Sequence, residues 1–173
     1  MLPDRLAPNL LAVFVGTSVS TTSAARKHYY AHHSNRFWQL LDATGLTGGA
    51  QLTSSRDEEI TNYGIGLTDL VKGRAASRDD LLQSSDYDVP GFIDRIERVR
   101  PLAVAFNGGE AARRVARHLK VPVVLDGPTE WSVGGAVAYV LPSSSAMNTS
   151  ITFAAKRERW RTFGDWVRTQ QSL

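Results

Sequence analysis

Apolar residues in this chain fall into continuous runs and spaced stripes, and the two patterns predict different elements. Leu10 to Val15 (LLAVFV) is an unbroken apolar run closed by Gly16, the pattern of a strand buried on both faces. Leu102–Phe106, Val121–Leu125 and Ala136–Leu141 read as three further strands. With Ser34 as N-cap, the spacing predicts a helix to about Thr44, carrying Phe37, Leu40, Leu41 and Thr44 on one face and stopped by Gly45. Pro90 opens a helix to about Arg100 with Phe92, Ile93, Ile96 and Val99 inward, and Pro101 ends it. Gly109–Leu119 carries Ala112, Val115, Ala116 and Leu119 on one stripe. Phe153 to about Thr169 carries Trp160, Phe163 and Val167. Gly48–Asp57 reads as a polar loop, Tyr63–Val71 as an ordered, turn-rich interior segment, and the charged, serine-rich Lys72–Asp88 as a mobile surface loop.

Strands alternating with helices imply an α/β fold with a largely parallel sheet covered on both faces. No internal repeat or linker interrupts the pattern, so residues 1–173 are expected to form one domain. The formal charge of +3 permits a polyanionic partner without demanding one. The absence of cysteine excludes disulfides, thiolate metal sites, a cysteine nucleophile and a Cys-ligated iron–sulfur cluster. No apolar run reaches the roughly 20 residues of a membrane span, and Met1–Arg5 shows no signal-peptide core. The expectation is a soluble, cytoplasmic monomer, associated with the nucleoid if the source is bacterial, with no membrane contact.

Three segments stand where an open α/β sheet binds ligands, beyond the carboxyl ends of its strands. They are Gly16-Thr17-Ser18-Val19-Ser20, Ala31-His32-His33-Ser34-Asn35-Arg36-Phe37-Trp38 and Leu141-Pro142-Ser143-Ser144-Ser145-Ala146-Met147. Together with Leu6-Ala7-Pro8, Tyr63-Gly64-Ile65-Gly66-Leu67-Thr68 and Ala103–Gly108, they make the chain resemble the mismatch-specific uracil-DNA glycosylase / thymine-DNA glycosylase family over nearly its whole length. That resemblance implies a three-layer α/β/α sandwich around a mainly parallel sheet of four to five strands. It also implies hydrolysis of the bond between a mispaired base and its deoxyribose, without metal or cofactor.

Such chemistry needs an extruded base held in a pocket, stabilisation of the departing anion, and a water positioned against a cationic sugar. The resemblance places Gly16, Thr17, Tyr30, His32 and Asn35 around the base. Tyr30 sits where relatives have a stacking aromatic, with Tyr29 as the neighbouring possibility. Where the family positions water with an asparagine, this chain has Ser18, whose hydroxyl is short and does not ionise at neutral pH. Where relatives carry lysine or asparagine, it has Asp69, a carboxylate able to act as general base or to stabilise the sugar cation. Ser18 and Asp69 are therefore the catalytic candidates, against plain readings as a turn former and a surface or capping aspartate. Asn35 and Arg36 also admit a structural role at the helix start.

Ser143, Ser144, Ser145, Ala146 and Met147 resemble the loop that enters the minor groove, with Met147 as the wedge. Lys27, Lys72, Arg74, Lys156, Arg157, Arg159 and Arg161 are candidate phosphate contacts. His28, His32 and His33 lack interleaved carboxylates or a metal-ligand spacing, so no metal is expected. The resulting expectation is a monofunctional glycosylase that removes uracil opposite guanine from double-stranded DNA and leaves an abasic site. The alternative is a catalytically weak protein that binds mismatches or abasic sites.

Overall fold

The computed structural model describes residues 1–173 and contains one five-stranded sheet with the spatial order β2-β1-β3-β5-β4. The strands are β1 (Ala12–Gly16), β2 (Ile65–Asp69), β3 (Ala103–Asn107), β4 (Gly127–Val133) and β5 (Ala136–Leu141). The first three and β5 run parallel, and β4 is antiparallel to β5 at one edge. The helices are α1 (Thr21–Arg26), α2 (Phe37–Thr44), α3 (Val89–Val99), α4 (Gly109–Leu119) and α5 (Phe153–Gln171).

Strand residues alternate between two cores because successive side chains point to opposite faces. Ala12, Phe14, Ile65, Leu67, Ala105 and Tyr139 meet α2 and α5 on one face. Val13, Val15, Val104, Phe106, Ala138 and Val140 meet α3 and α4 on the other. The sheet is thus the middle of three layers. Phe14 anchors the first core, stacked on Trp160 at 5.4 Å and edge-on to Phe37 and Phe163. Each such fully buried large side chain contributes about 1.5–3 kcal/mol.

Two strand assignments differ from the sequence pattern. Tyr63–Val71 contains a true strand, β2, whose glycine signals close packing rather than a turn. A Cβ at Gly66 would lie 2.7 Å from Leu10 and 2.9 Å from Leu6. The amino-terminal segment crosses here, and Arg5 and Leu67 exchange main-chain hydrogen bonds at 2.9 and 2.8 Å, covering the edge of β2. Val121–Leu125 is not a strand: Val123 and Leu125 are exposed, and the place beside β5 is taken by β4. The Gly134-Gly135 pair makes that hairpin possible, since both residues have positive φ.

The remaining elements follow their local chemistry. Asp88 caps α3 by accepting from the Gly91 N–H, and Pro90 lies in its first turn. Helix α2 begins later than expected. Ser34 is not its cap; the Ser34 hydroxyl bonds His32 Nδ1 instead, while Asn35 Oδ1 accepts the Phe37 N–H at 3.0 Å. A 3-10 segment at Ser54–Tyr63 replaces part of the expected loop and buries Asp57 and Ile60. Helices α2 and α5 meet backbone to backbone at Gly164, where a Cβ would fall 2.0 Å from the Thr44 carbonyl oxygen. Gly164→Ala is therefore expected to lower stability by about 1–3 kcal/mol, because neither backbone can yield. A urea unfolding midpoint equal to that of the native chain would contradict this packing.

Candidate functional site

Strand order reverses direction at β1: β2 lies on one side and β3 on the other, which opens a crevice at the carboxyl ends of the parallel strands. A cavity of about 580 Å³ occupies that crevice. Gly16 ends β1, Asp69 ends β2, Asn107 ends β3, and Ser143 follows β5; all four line it. Gly16, Thr17, Ser18, Tyr30, His32, Asn35, Asp69 and Ser143–Met147, brought together from distant parts of the chain, line the same cavity.

Asp69 is 2% exposed, and its Oδ2 has no hydrogen-bond partner. Its carboxylate presses against Gly16, the residue paired with it across the β1–β2 ladder. A Cβ on Gly16 would meet Asp69 Oδ1 at 2.6 Å, so glycine is required by the approach. Burial pushes the Asp69 carboxyl up to about 7; Lys72 and Arg95 pull it down and Asp4 pushes it up by smaller amounts. A buried carboxylate at the end of a strand, without hydrogen bonds and half-ionised near neutrality, is suited to accept a proton.

Tyr30 forms the neighbouring wall. Its ring stacks on Phe37 with centroids 3.9 Å apart, and its hydroxyl lies 3.5 Å from where a Gly16 Cβ would sit. The residue adopts φ +50°, a left-handed conformation rare for a tyrosine. Flanking bonds impose it. The Tyr29 N–H donates to buried Asp57, the Ala31 N–H donates to Ser23 Oγ, and Arg26 reaches the Ala31 carbonyl. Asp57 also pairs with His28 Nδ1 at 2.9 Å and with Arg5. His28 thus belongs to this scaffold, whereas His32 and His33 are exposed and tilt against each other at 4.4 Å. Burial, then the Asp69 charge, raises the Tyr30 hydroxyl well above its usual range.

The serine-rich loop is held from three sides. Asn107 accepts the Ser144 N–H at 2.9 Å and donates to Ser144 Oγ at 2.8 Å; Ser144 Oγ in turn donates to Asn35 Oδ1 at 2.8 Å. Asn35 Oδ1 is thereby committed to Ser144 and Phe37, a structural use that ties the loop to the start of α2. Trp160 Nε1 donates to the Pro142 carbonyl, and Lys156 Nζ donates to the Ser145 carbonyl at 3.0 Å. Lys156 is buried, which lowers its pKa, so it is a loop anchor rather than a phosphate contact. Neither Lys156 nor Asn107 has a distinguishing sequence pattern; the only signal for Asn107 is its place at a strand end before Gly108-Gly109.

Residues 72–88 form a docked loop. Val71 and Ala76 donate main-chain bonds to Thr17 and Val19, Thr17 Oγ1 donates to Asp79, and Thr21 bonds Ser77. Ser18 Oγ points at the Ala76 carbonyl, 3.4 Å away. Its hydroxyl helps seat this loop. Ala76, Ser77, Arg78 and Asp79 join the cavity wall, and Glu110 lies at the amino end of α4 beside them.

Residues 3–164 match the uracil DNA glycosylase superfamily. The chain belongs to the uracil DNA glycosylase superfamily. It is 27% identical over 179 aligned positions to a G/U mismatch-specific uracil DNA glycosylase of Schizosaccharomyces pombe. That alignment covers 99% of this chain and 55% of the relative, so the chain spans about half the relative's length. The fold matches the solution NMR structure of a candidate uracil DNA glycosylase from Methanosarcina acetivorans, with TM-score 0.66, 21% identity and 96% of both chains covered.

The surface around the cavity differs from the phosphate-binding set expected from charge alone. Lys72 pairs with Asp4, Arg74 with Asp86, Arg159 with Asp126 and Arg161 with Glu158. Lys27 and Arg157 have no carboxylate partner within 4.0 Å. Arg36 also lacks one; its guanidinium lies 5.5 Å from the ring of exposed Phe153. Met147 is 65% exposed at the tip of the serine loop. No helix is long and apolar enough to cross a membrane.

Proposed function

We propose that this chain is a monofunctional DNA glycosylase that removes uracil mispaired with guanine and leaves an abasic site, without a metal or cofactor. The observation that carries this reading is Asp69: a buried carboxylate with an unpartnered oxygen, raised to about 7, on the floor of a cavity in a superfamily that cleaves uracil from DNA. In this mechanism the extruded base stacks on Tyr30, and Met147 fills the space it leaves. The N1–C1′ bond breaks with its electron pair passing to the base. Water adds to C1′ of the sugar cation, and Asp69 takes the proton that water releases. The amino end of α4, at Gly109 beside the cavity, favours the negative charge on the departing base. No lysine lines the cavity, so an abasic product without strand cleavage is the expected outcome.

The test is single-turnover release of uracil from a G:U duplex by the native chain. Release with an intact abasic strand supports the proposal. Tight, salt-dependent binding without release favours a mismatch- or abasic-site-binding protein, a reading that draws on Ser18 standing where the family places its asparagine. Ser18→Ala is expected to keep all but a few-fold of the native rate, because its hydroxyl bond to Ala76 is long and serves the loop. A loss as large as that of Asp69→Asn would transfer the water-positioning role back to Ser18.

A further inference from the structure

Asp69 is flanked by a charge cluster that the proposed reaction leaves unused. Asp4 comes from the amino-terminal segment, Lys72 from the turn after β2, and Arg95 from α3. Asp4 Oδ1 accepts from Lys72 Nζ at 2.5 Å, from Thr68 Oγ1 at 2.8 Å and from the Tyr29 hydroxyl at 3.4 Å. Asp4 Oδ2 lies 3.4 Å from Arg95 Nε, and another Arg95 nitrogen donates to the Asp69 main-chain carbonyl at 2.8 Å. None of the three charged side chains lines the cavity. Two cations therefore stand close to a buried carboxylate without pairing with it: Lys72 is directed at Asp4, and Arg95 lies between an ion pair with Asp4 and a hydrogen bond to the Asp69 main-chain carbonyl.

We propose that Asp4 is a positioning residue for Asp69: it draws Lys72 and Arg95 into its own ion pairs and so keeps them from pairing with the Asp69 carboxylate. The inference rests on Asp69 being the reacting group. An opposite charge within reach favours the ionised form of a carboxylate and weakens it as a base, whereas a like charge has the reverse effect. The charged and titratable groups that act on Asp69 are Lys72, Arg95 and Asp4. The raised hydroxyls of Tyr29 and Tyr30 feel it in return, and β1 presents only Gly16. Asp4 works in one direction twice, through its own charge and through the two cations it occupies. The result is a carboxylate left basic enough to accept a proton near neutral pH.

The ion pair between Asp4 and Lys72 can be broken from either side, and the two breaks have opposite electrostatic signs. Asp4→Asn keeps the shape and an acceptor oxygen but releases both cations, so the Asp69 midpoint falls by about one pH unit or more. Lys72→Met removes a cation and leaves Asp4 charged, so the midpoint rises. Two readouts on the full chain apply: the acid limb of the single-turnover rate on a G:U duplex, and the carboxyl carbon shift of Asp69 titrated by NMR. A purely structural role for the pair would move both variants the same way or neither, and either result overturns the proposal. If Asp4→Asn does not fold, Lys72→Met decides alone, with a fall or no change as the overturning result. Failure of the underlying reading is separately visible, because Asp69→Asn would then retain the native pH profile while the NMR titration still reports on Asp4.

Discussion

Asp69→Asn slows single-turnover uracil release from a G:U duplex by about 10²–10⁴-fold, the range that loss of a positioned base produces. The substitution is isosteric, so Gly16, Tyr30 and the serine loop keep their places and duplex binding stays near the native level. What disappears is the acceptor for the water proton and the negative charge facing the sugar cation. The pH dependence gives the effect a sign. The reaction requires the carboxylate form, and Asp69 titrates at about 7 because burial disfavours its charge. The native rate therefore rises through pH 6 to 8 and levels off above, while the residual rate of Asp69→Asn is flat across that window. A variant with the native rate, or one that keeps a midpoint near 7, would remove Asp69 from the reaction.

Much of this site is legible in the sequence, because strand ends are marked by abrupt changes from apolar to small and polar residues. Gly16 ends β1 in this way, and Gly109–Leu119 coincides with α4 because a glycine pair opens it and its apolar stripe is clean. The resemblance gathered residues at positions 16, 30, 35, 69 and 143 into one place, and the structure brings them to one cavity. What is not legible depends on long-range partners. Gly66 reads as a turn residue until Leu6 and Leu10 are seen against it. The apolar Val121–Leu125 run reads as a strand until Gly127–Val133 is seen to hold the place beside β5 across the Gly134-Gly135 turn. Lys156 looks like part of a basic stripe, and only the approach of the Ser145 carbonyl gives it another task.

The proposed placement of the chemistry at the end of β2 rather than after β1 also has a structural reason. The turn after β1 is occupied: Thr17 bonds Asp79, Ser18 points at Ala76, and the main chain of residues 17 and 19 accepts from residues 71 and 76. A side chain at position 18 is thereby drawn toward the docked loop. The end of β2 is one strand over, and its side chain falls directly against Gly16. The carboxylate proposed to react at 69 and the loop-seating hydroxyl at 18 are thus two consequences of one arrangement.

Burying Asp69 should also leave a thermodynamic signature, and Asp69→Asn should remove it. The folded chain holds this carboxyl at about 7, against an ordinary value of 3.8. Between those values the unfolded chain has lost the proton that the folded chain still binds. Stability therefore falls as pH rises from about 4 to about 7, and is level above. The difference of roughly three units corresponds to on the order of 4 kcal/mol. Asparagine carries no charge at any of these pH values, so the variant escapes this loss. Its amide hydrogens do bring a need for partners in a buried place, which lowers its stability by an amount independent of pH. The informative quantity is accordingly the change in the stability difference between the two proteins from pH 4 to pH 8, measured by urea unfolding. Asp69→Asn should gain on the native chain by on the order of 4 kcal/mol over that interval, most of it before pH 7. This is the trade expected where a site is held ready for chemistry at the expense of the fold. Parallel stability curves would mean that Asp69 ionises at its ordinary pH, and a carboxylate that does so is too weak a base for the role proposed.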